Sequence, residues 1–310
     1  MSDSEFQLIE TAFRRHASCR HEHTVIANGD DASVHQLPPG FELVVSTDTS
    51  IKGVHWPHDM PLHQAADRAV CAALSDLAAM GAEACWAWLA VTLEEAGQAA
   101  LIGEGVASAL HRFQVELAGG DTTRGNQCTI TVTVAGMLPA GAAMRRDRAG
   151  VGDKIWLAGR LGYSRLGLQQ WLSGEKDGWF VDDFVRVQPL LTVGQRLREV
   201  GVRCCLDVSD GLLQDAGHIC RASAVSMQME LSRLPGFSEL EGQVDKPALI
   251  QALLAGGEDY ALLFTAPTEL QGLDAWAVEV GVCSESGQGV EVYDQGRRLQ
   301  LTSQGYDHFA

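Results

Sequence analysis

The chain has 310 residues, 46% of them apolar and 20% charged, and a formal net charge of −17. That composition supports one large core or two domains of ordinary size and excludes wholesale disorder. A surface this acidic repels nucleic-acid phosphates and anionic lipid, so binding to nucleic acid or a membrane surface is not expected; an anionic substrate would be met through divalent cations held on carboxylates.

In chain order, 5–16 predicts a helix, with Phe6, Ile9 and Phe13 at helical spacing. Its acidic start and lack of a long apolar run do not read as a secretory signal. Residues 41–46 (FELVVS) predict a strand ending on Thr47-Asp48-Thr49, and 63–80 a long alanine-rich helix. Residues 85–93 predict a strand; the most apolar window, 84–93, is too short to span a bilayer as a helix. A helix over 96–113 precedes a short strand running into Gly119-Gly120-Asp121. Strict alternation of threonine with Ile130, Val132 and Val134 marks 128–137 as a half-buried strand.

The segment 139–152 breaks this rhythm with glycine, proline and Arg145, Arg146 and Arg148, and the domain boundary is placed there, giving domains at 1–140 and 150–310. Beyond it come a strand at 154–158, helices near 164–172 and 190–200, and a strand at 204–208. A helix starts near Asp210, and a strand occupies 225–231. Gly256-Gly257-Glu258-Asp259 separates a helix from a strand at 260–265, and a further helix and a weak strand close the chain. The eight cysteines form no CxxC pair and read as buried free thiols of a cytoplasmic protein.

Chemistry is concentrated in the carboxylates. They recur at expected strand ends and glycine turns: Gly29-Asp30-Asp31, Ser46-Thr47-Asp48, Ser75-Asp76, Gly119-Gly120-Asp121, Asp207-Val208-Ser209-Asp210 and Gly256-Gly257-Glu258-Asp259. Each alone is also an ordinary turn. Oxygen-only ligands of this kind suit hard cations, above all Mg²⁺. No GxxxxGK[ST] loop, GxGxxG turn after the first strand, protein-kinase catalytic loop or GxSxG elbow is present. His55, His58 and His63 lack the helical HExxH spacing of a zinc site.

The ordered set of motifs carries a family resemblance: GDDASV at 29–34, STDTSIKGVHW at 46–56, LSDLAAMGA at 74–82, GGDTTRG at 119–125, DVSDGLL at 207–213, GGEDY at 256–260 and GYDHF at 305–309. With these the chain resembles the thiamine-monophosphate kinases, in the superfamily of aminoimidazole ribonucleotide synthetase. The resemblance implies an α+β fold of two domains: an N-terminal mixed sheet with helices on one face, pairing through strands into a homodimer, and a C-terminal α/β domain. It implies ATP-dependent phosphorylation of thiamine monophosphate to thiamine diphosphate, with several Mg²⁺ ions.

Carried over by motif, the resemblance assigns Asp30, Ser46, Thr47, Asp48, Asp76, Asp121, Asp207 and Asp210 to the metals, with Asp48, Asp76, Asp121 and Asp210 central to catalysis. Gly120, Asp121, Arg146 and Ser209 would contact ATP; His55, Glu258 and Phe309 would contact thiamine monophosphate. Alternatives stand beside these roles. Arg146 is either an ATP contact or part of a solvated basic loop, with Arg145 the competing candidate. Asp31, Asp215 and Asp259 are either partners of neighbouring ligands or helix caps. His55 is otherwise a loop histidine, and Phe309 a packing residue of the tail. Ser33 and Trp56 depart from the family's usual alanine and phenylalanine. A selenophosphate synthetase would carry a reactive cysteine in an N-terminal glycine-rich segment, whereas Cys19 lies in a basic, helix-like stretch. The rival from another class is a magnesium–nucleotide-binding module without turnover.

Overall fold

The structure is a computed structural model that describes residues 5–14, 20–285, 287, 289–300 and 305. The chain divides into two compact units, Met1–Leu77 with Ala82–Gly141, and Ala78–Gly81 with Ala142–Ala310. Both mix helices and sheet, which makes the protein an α+β, two-domain chain.

The first unit runs α1 (Glu5–Ala12), β1 (Thr24–Ile26), β2 (Val34–His35), β3 (Phe41–Ile51), α2 (Leu62–Met80), β4 (Glu83–Leu93), α3 (Gln98–Phe113), β5 (Glu116–Arg124) and β6 (Thr129–Pro139). β1 and β2 form a small antiparallel pair. The other four strands form a mixed sheet in the order β3-β6-β4-β5, with β4 and β5 parallel. Ile130, Val132 and Val134 of β6 are buried on the face that carries α2 and α3, while Thr129, Thr131 and Thr133 alternate onto the opposite face. That is the half-buried strand the threonine pattern predicts.

Three expectations need correction here. β3 does not end at Ser46; it continues to Ile51, with Thr47–Ile51 in register with Thr129–Thr133. The cause is cross-strand threonine pairing, Thr47 to Thr133 and Thr49 to Thr131, each 2.9 Å between hydroxyls. Gly119-Gly120-Asp121 lies inside β5, not after it. Gly120 is required there by close strand approach, since a Cβ would stand 2.1 Å from the carbonyl oxygen of Leu89. Asp76 lies within α2 and not at a turn. The carboxylates are thus presented by regular elements as well as by loops.

The second unit runs β7 (Lys154–Ala158), α4 (Tyr163–Ser173), α5 (Val181–Val185), α6 (Leu191–Glu199), β8 (Cys204–Val208), α7 (Leu212–Ser223), β9 (Val225–Glu230), α8 (Phe237–Leu240), α9 (Lys246–Ala255), β10 (Ala261–Ala266), β11 (Val278–Glu285), β12 (Val290–Asp294) and β13 (Arg297–Arg298). Seven strands form one sheet in the order β13-β12-β9-β11-β7-β10-β8, antiparallel except for β9 with β12. Its core joins Ile155, Leu206, Leu212, Ile219, Leu253 and Leu263. α9 starts on Asp245, whose carboxylate accepts the N–H of Ala248 at 2.8 Å, with Pro247 in its first turn. The expected last helix is a single 3₁₀ turn at Leu273–Ala275, and the expected weak strand is the three strands β11–β13. The seven described cysteines are buried free thiols; Cys19 lies outside the described residues. Among the described residues no helix is long and apolar enough to cross a membrane.

Candidate functional site

In the first unit, β3 presents Ser46 and Asp48 two residues apart, hence on one face, and α2 brings Asp76 against them: the Ser46 hydroxyl donates to Asp76 Oδ2. Cross-strand register fixes that face, because Ser46 opposes Val134 and Asp48 opposes Val132, both buried on the helix side. Thr47 points the other way, and its hydroxyl bonds Thr133. Thr47 would therefore meet the Ser46–Asp48–Asp76 group through its main chain.

Asp121 is also set apart. It pairs with Ala90, which opposes Thr131, which opposes Thr49, so all four share the open face. β5 and β3 are opposite edges of the sheet, three strand spacings or about 14 Å apart. Within one chain the structure does not bring Asp121 together with Asp48 and Asp76. Asp30 occupies the turn between β1 and β2, where its carboxylate accepts the N–H of Asp31 at 2.9 Å.

His55 closes the turn after β3. Its Nδ1 accepts the Ile51 N–H at 3.0 Å, so the neutral ring carries its proton on Nε2. Trp56 is core, 2% exposed.

In the second unit, β8 carries buried Asp207 just before its last residue, Val208, and leads through Ser209 and Asp210 into α7. Asp215, one turn into α7, accepts the main-chain N–H groups of Ser209, Asp210 and Gly211 at 3.0, 3.1 and 3.2 Å. Burial pushes the Asp215 carboxyl up to about 7, helped by the nearby Asp210 charge and opposed by the three N–H donors. Its role is to hold the loop. Asp259 is the other support, accepting the N–H groups of Gly162 and Ser164 at 2.7 and 3.1 Å at the start of α4. Of the two readings left open for these residues, loop and helix capping is the one the geometry supports.

The glycine-rich loop before β10 lies directly on the Asp207–Asp210 loop. Glu258 N–H donates to the Ser209 carbonyl at 2.7 Å and Tyr260 N–H to Val208 at 2.9 Å. A Cβ on Gly257 would stand 2.5 Å from the Ser209 carbonyl oxygen, so only glycine fits. Glu258 and Tyr260 both adopt left-handed backbone, φ 70° and 51°, a costly conformation for such residues. Ser209, Asp210 and Glu258 are therefore brought together. Phe309 lies outside the described residues; Gly305 sits against the Asp210 carbonyl and Gln214.

The basic segment separates its arginines. Arg145 is engaged bidentately by Asp147, at 2.9 Å from Nε to Oδ1 and 2.5 Å from Nη2 to Oδ2. Arg146 forms no ion pair among the described residues. Arg146 and Asp210 both act on His218: burial first, then Arg221 and Arg146, lower its pKa, and Asp210 opposes them. Sequence reasoning missed Gln214, whose amide donates to Asp210 Oδ2 at 3.2 Å. Its spacing of four from Asp210 was the available signal.

Among the described residues no three acidic, histidine or cysteine side chains gather closely enough to hold a metal alone. The donors come singly or in pairs and are all oxygen. That set fits Mg²⁺, which keeps several waters and is bound through one or two carboxylates together with substrate phosphates.

A two-domain α+β chain with oxygen donors on β3, α2 and the β8–α7 loop defines a phosphate-handling class, and the comparisons agree. The chain belongs to the AIR synthase related protein family, whose N-terminal domain matches residues 29–138 and whose C-terminal domain matches 150–295. Within it, the chain is similar to thiamine-monophosphate kinases. Those of Salmonella typhimurium and Escherichia coli are each 34% identical over the whole chain and 99% of their own length. The crystal structure of thiamine-monophosphate kinase from Stenotrophomonas maltophilia superposes with a TM-score of 0.82, 32% identity, covering 96% of this chain and 99% of that one. AaThiL complexed with AMPPCP and TMP superposes with a TM-score of 0.78 at 25% identity, covering 98% and 97%.

Proposed function

We propose that this chain transfers the γ-phosphoryl group of ATP to thiamine monophosphate, yielding thiamine diphosphate and ADP. The observation that carries the reading is the hydroxyl–carboxylate group Ser46–Asp48–Asp76, in a chain that matches thiamine-monophosphate kinases end to end. A relative with the same fold is complexed with AMPPCP and TMP, an ATP analogue and the acceptor.

The acceptor is itself a phosphate ester with a second pKa of roughly 6, so its attacking oxygen is ionised at neutral pH and no general base is needed. The site must neutralise charge and align two anions for in-line transfer. Asp30, Ser46, Asp48 and Asp76 of the first unit and Asp207 and Asp210 of the second would hold Mg²⁺, with Thr47 contributing its main chain and Asp121 a separate carboxylate. Bound there, Mg²⁺ supplies charge neutralisation on the phosphoryl oxygens. Arg146 and Ser209 would bind ATP phosphates, and Gly120 would let a nucleotide approach the main chain of β5. His55, through its Nε2 proton, and Glu258 would orient thiamine monophosphate, with Phe309 closing the set.

The homodimer belongs to the same reading. β3 is an edge strand, and Phe41, Leu43 and Val45 stand exposed on the open face, Leu43 and Val45 by more than half. A second copy laid along that strand would cover them. We place the reaction in the cytoplasm, where ATP is abundant and the free thiols stay reduced.

The test is chromatography of purified protein with ATP, Mg²⁺ and thiamine monophosphate, with EDTA and Asp76→Ala as controls. Metal-dependent thiamine diphosphate with equal ADP supports the reading. ATP binding without diphosphate formation would sink it and leave a nucleotide-binding module.

A further inference from the structure

The turn that carries Asp30 is tied to the sheet at both ends by a chain of side-chain hydrogen bonds. On the descending side, Trp88 Nε1 lies 3.1 Å from Ser33 Oγ, and Ser33 Oγ lies 2.9 Å from His35 Nε2. On the ascending side, Thr24 Oγ1 lies 3.2 Å from His35 Nδ1, 2.8 Å from Trp86 Nε1 and 2.6 Å from Glu116 Oε2. The same Glu116 oxygen accepts the His21 N–H at 2.7 Å. Thr24 and Glu116 are buried, at 7% and 3% exposure, so broken bonds here would leave orphaned polar atoms.

Donor counting gives a consistent placement of the protons in this chain. Indole N–H groups only donate and an ionised carboxylate only accepts. Thr24 therefore gives its proton to Glu116 and accepts from Trp86, leaving its second lone pair for His35 Nδ1–H. The ring then accepts at Nε2 from the Ser33 hydroxyl, which itself accepts from Trp88. A neutral, Nδ1-protonated His35 satisfies all members with every proton used inside the chain, whereas a doubly protonated ring would turn the Ser33 O–H out of it. Burial lowers the His35 pKa and His21 adds to this, with Glu116 opposing, which keeps the ring in that neutral state. Trp86 and Trp88 hold the ring in place, with centroids 4.5 and 5.5 Å away.

β1 and β2 are short, pair only at Thr24 with His35 and Ile26 with Val34, and slip register between them. Main-chain pairing alone is too sparse to set the turn. We propose that the Trp88–Ser33–His35–Thr24–Glu116 chain is a positioning device for Asp30, holding both arms of its turn so that the carboxylate is preset for Mg²⁺. His35 joins the two tryptophan-bound halves, and Ser33, a departure from the family's usual alanine, ties its ring to Trp88. The inference rests on the reading of Asp30 as a metal ligand given above.

The experiment titrates Mg²⁺ into protein saturated with AMPPCP by calorimetry, alongside thermal melting, for Asp30→Ala, His35→Phe, Ser33→Ala, Thr24→Val and Thr24→Ser. His35→Phe and Thr24→Val are expected to weaken Mg²⁺ binding by about tenfold, the low end for residues that orient a ligand. Thr24→Ser, which keeps the hydroxyl, restores wild-type affinity. Wild-type Mg²⁺ affinity in His35→Phe and Thr24→Val, beside a weakened Asp30→Ala, overturns the inference and leaves the ligand assignment intact. An unaffected Asp30→Ala overturns the ligand assignment and the inference with it. Should His35→Phe fail to fold, Ser33→Ala decides the matter: it removes one hydroxyl from a half-buried turn, and unchanged affinity there also overturns the proposal.

Discussion

Asp215 accepts the main-chain N–H of Asp210 at 3.1 Å, so the carboxylate that shapes the β8–α7 loop is distinct from the one the loop presents. Asp215 also accepts Ser209 and Gly211. Asp215→Ala strands three N–H groups on a loop that must keep its form, and should cost about 3 kcal/mol of folding stability. Asp215→Asn, which keeps one oxygen in place, should cost less than half as much. Urea unfolding of the metal-free protein measures both.

Asp48 shares a face of β3 with Ser46, whose hydroxyl donates to Asp76 on α2. Asp48→Asn or Asp76→Asn should lower kcat on the order of 10³-fold, from the loss of a few kcal/mol of charge stabilisation, while far-UV circular dichroism stays unchanged. Thr47→Val, whose hydroxyl lies on the opposite face, should keep activity within about threefold.

Arg145 and Arg146 give a direct contrast. Arg145 is already neutralised by Asp147, whereas Arg146 has no ion-pair partner among the described residues. Arg146→Ala should raise KM for ATP about tenfold, the worth of one hydrogen bond to a charged group, and Arg145→Ala should leave it within about twofold. Steady-state kinetics at fixed thiamine monophosphate separates the two.

Glu258 holds a left-handed backbone at φ 70°. Glu258→Gly should relieve about 1 kcal/mol of strain and raise the melting temperature while raising KM for thiamine monophosphate. A mutation that stabilises and impairs together marks a residue kept for binding.

Burial pushes the thiols of Cys71, Cys85 and Cys283 up to about 12 and that of Cys204 to about 11. At pH 8 the thiolate fraction of the first three is about 10⁻⁴. A thiol reagent such as DTNB should therefore leave the seven described cysteines unreacted in the native protein and titrate all eight after denaturation.

The sequence by itself determined the element types and the chemistry. The threonine alternation of β6, the alanine-rich α2 and the strand at Lys154–Ala158 were legible because side-chain periodicity is a local property. The ordered acidic motifs carried the family resemblance, and the oxygen-only donors pointed to a hard cation. What the tertiary structure decided is direction. Whether a strand continues past Ser46, and so whether Thr47 faces Asp76 or Thr133, depends on a partner strand some 85 residues away. Asp121 shares a motif style with Asp48 and yet lies on the other face, because adjacent residues of a strand alternate and the register of four strands sets which side is which. Asp215 and Asp210 are equally acidic in sequence; burial and three aligned N–H groups make Asp215 the support of the loop that presents Asp210. Local pattern selects residue types, and long-range pairing aims them.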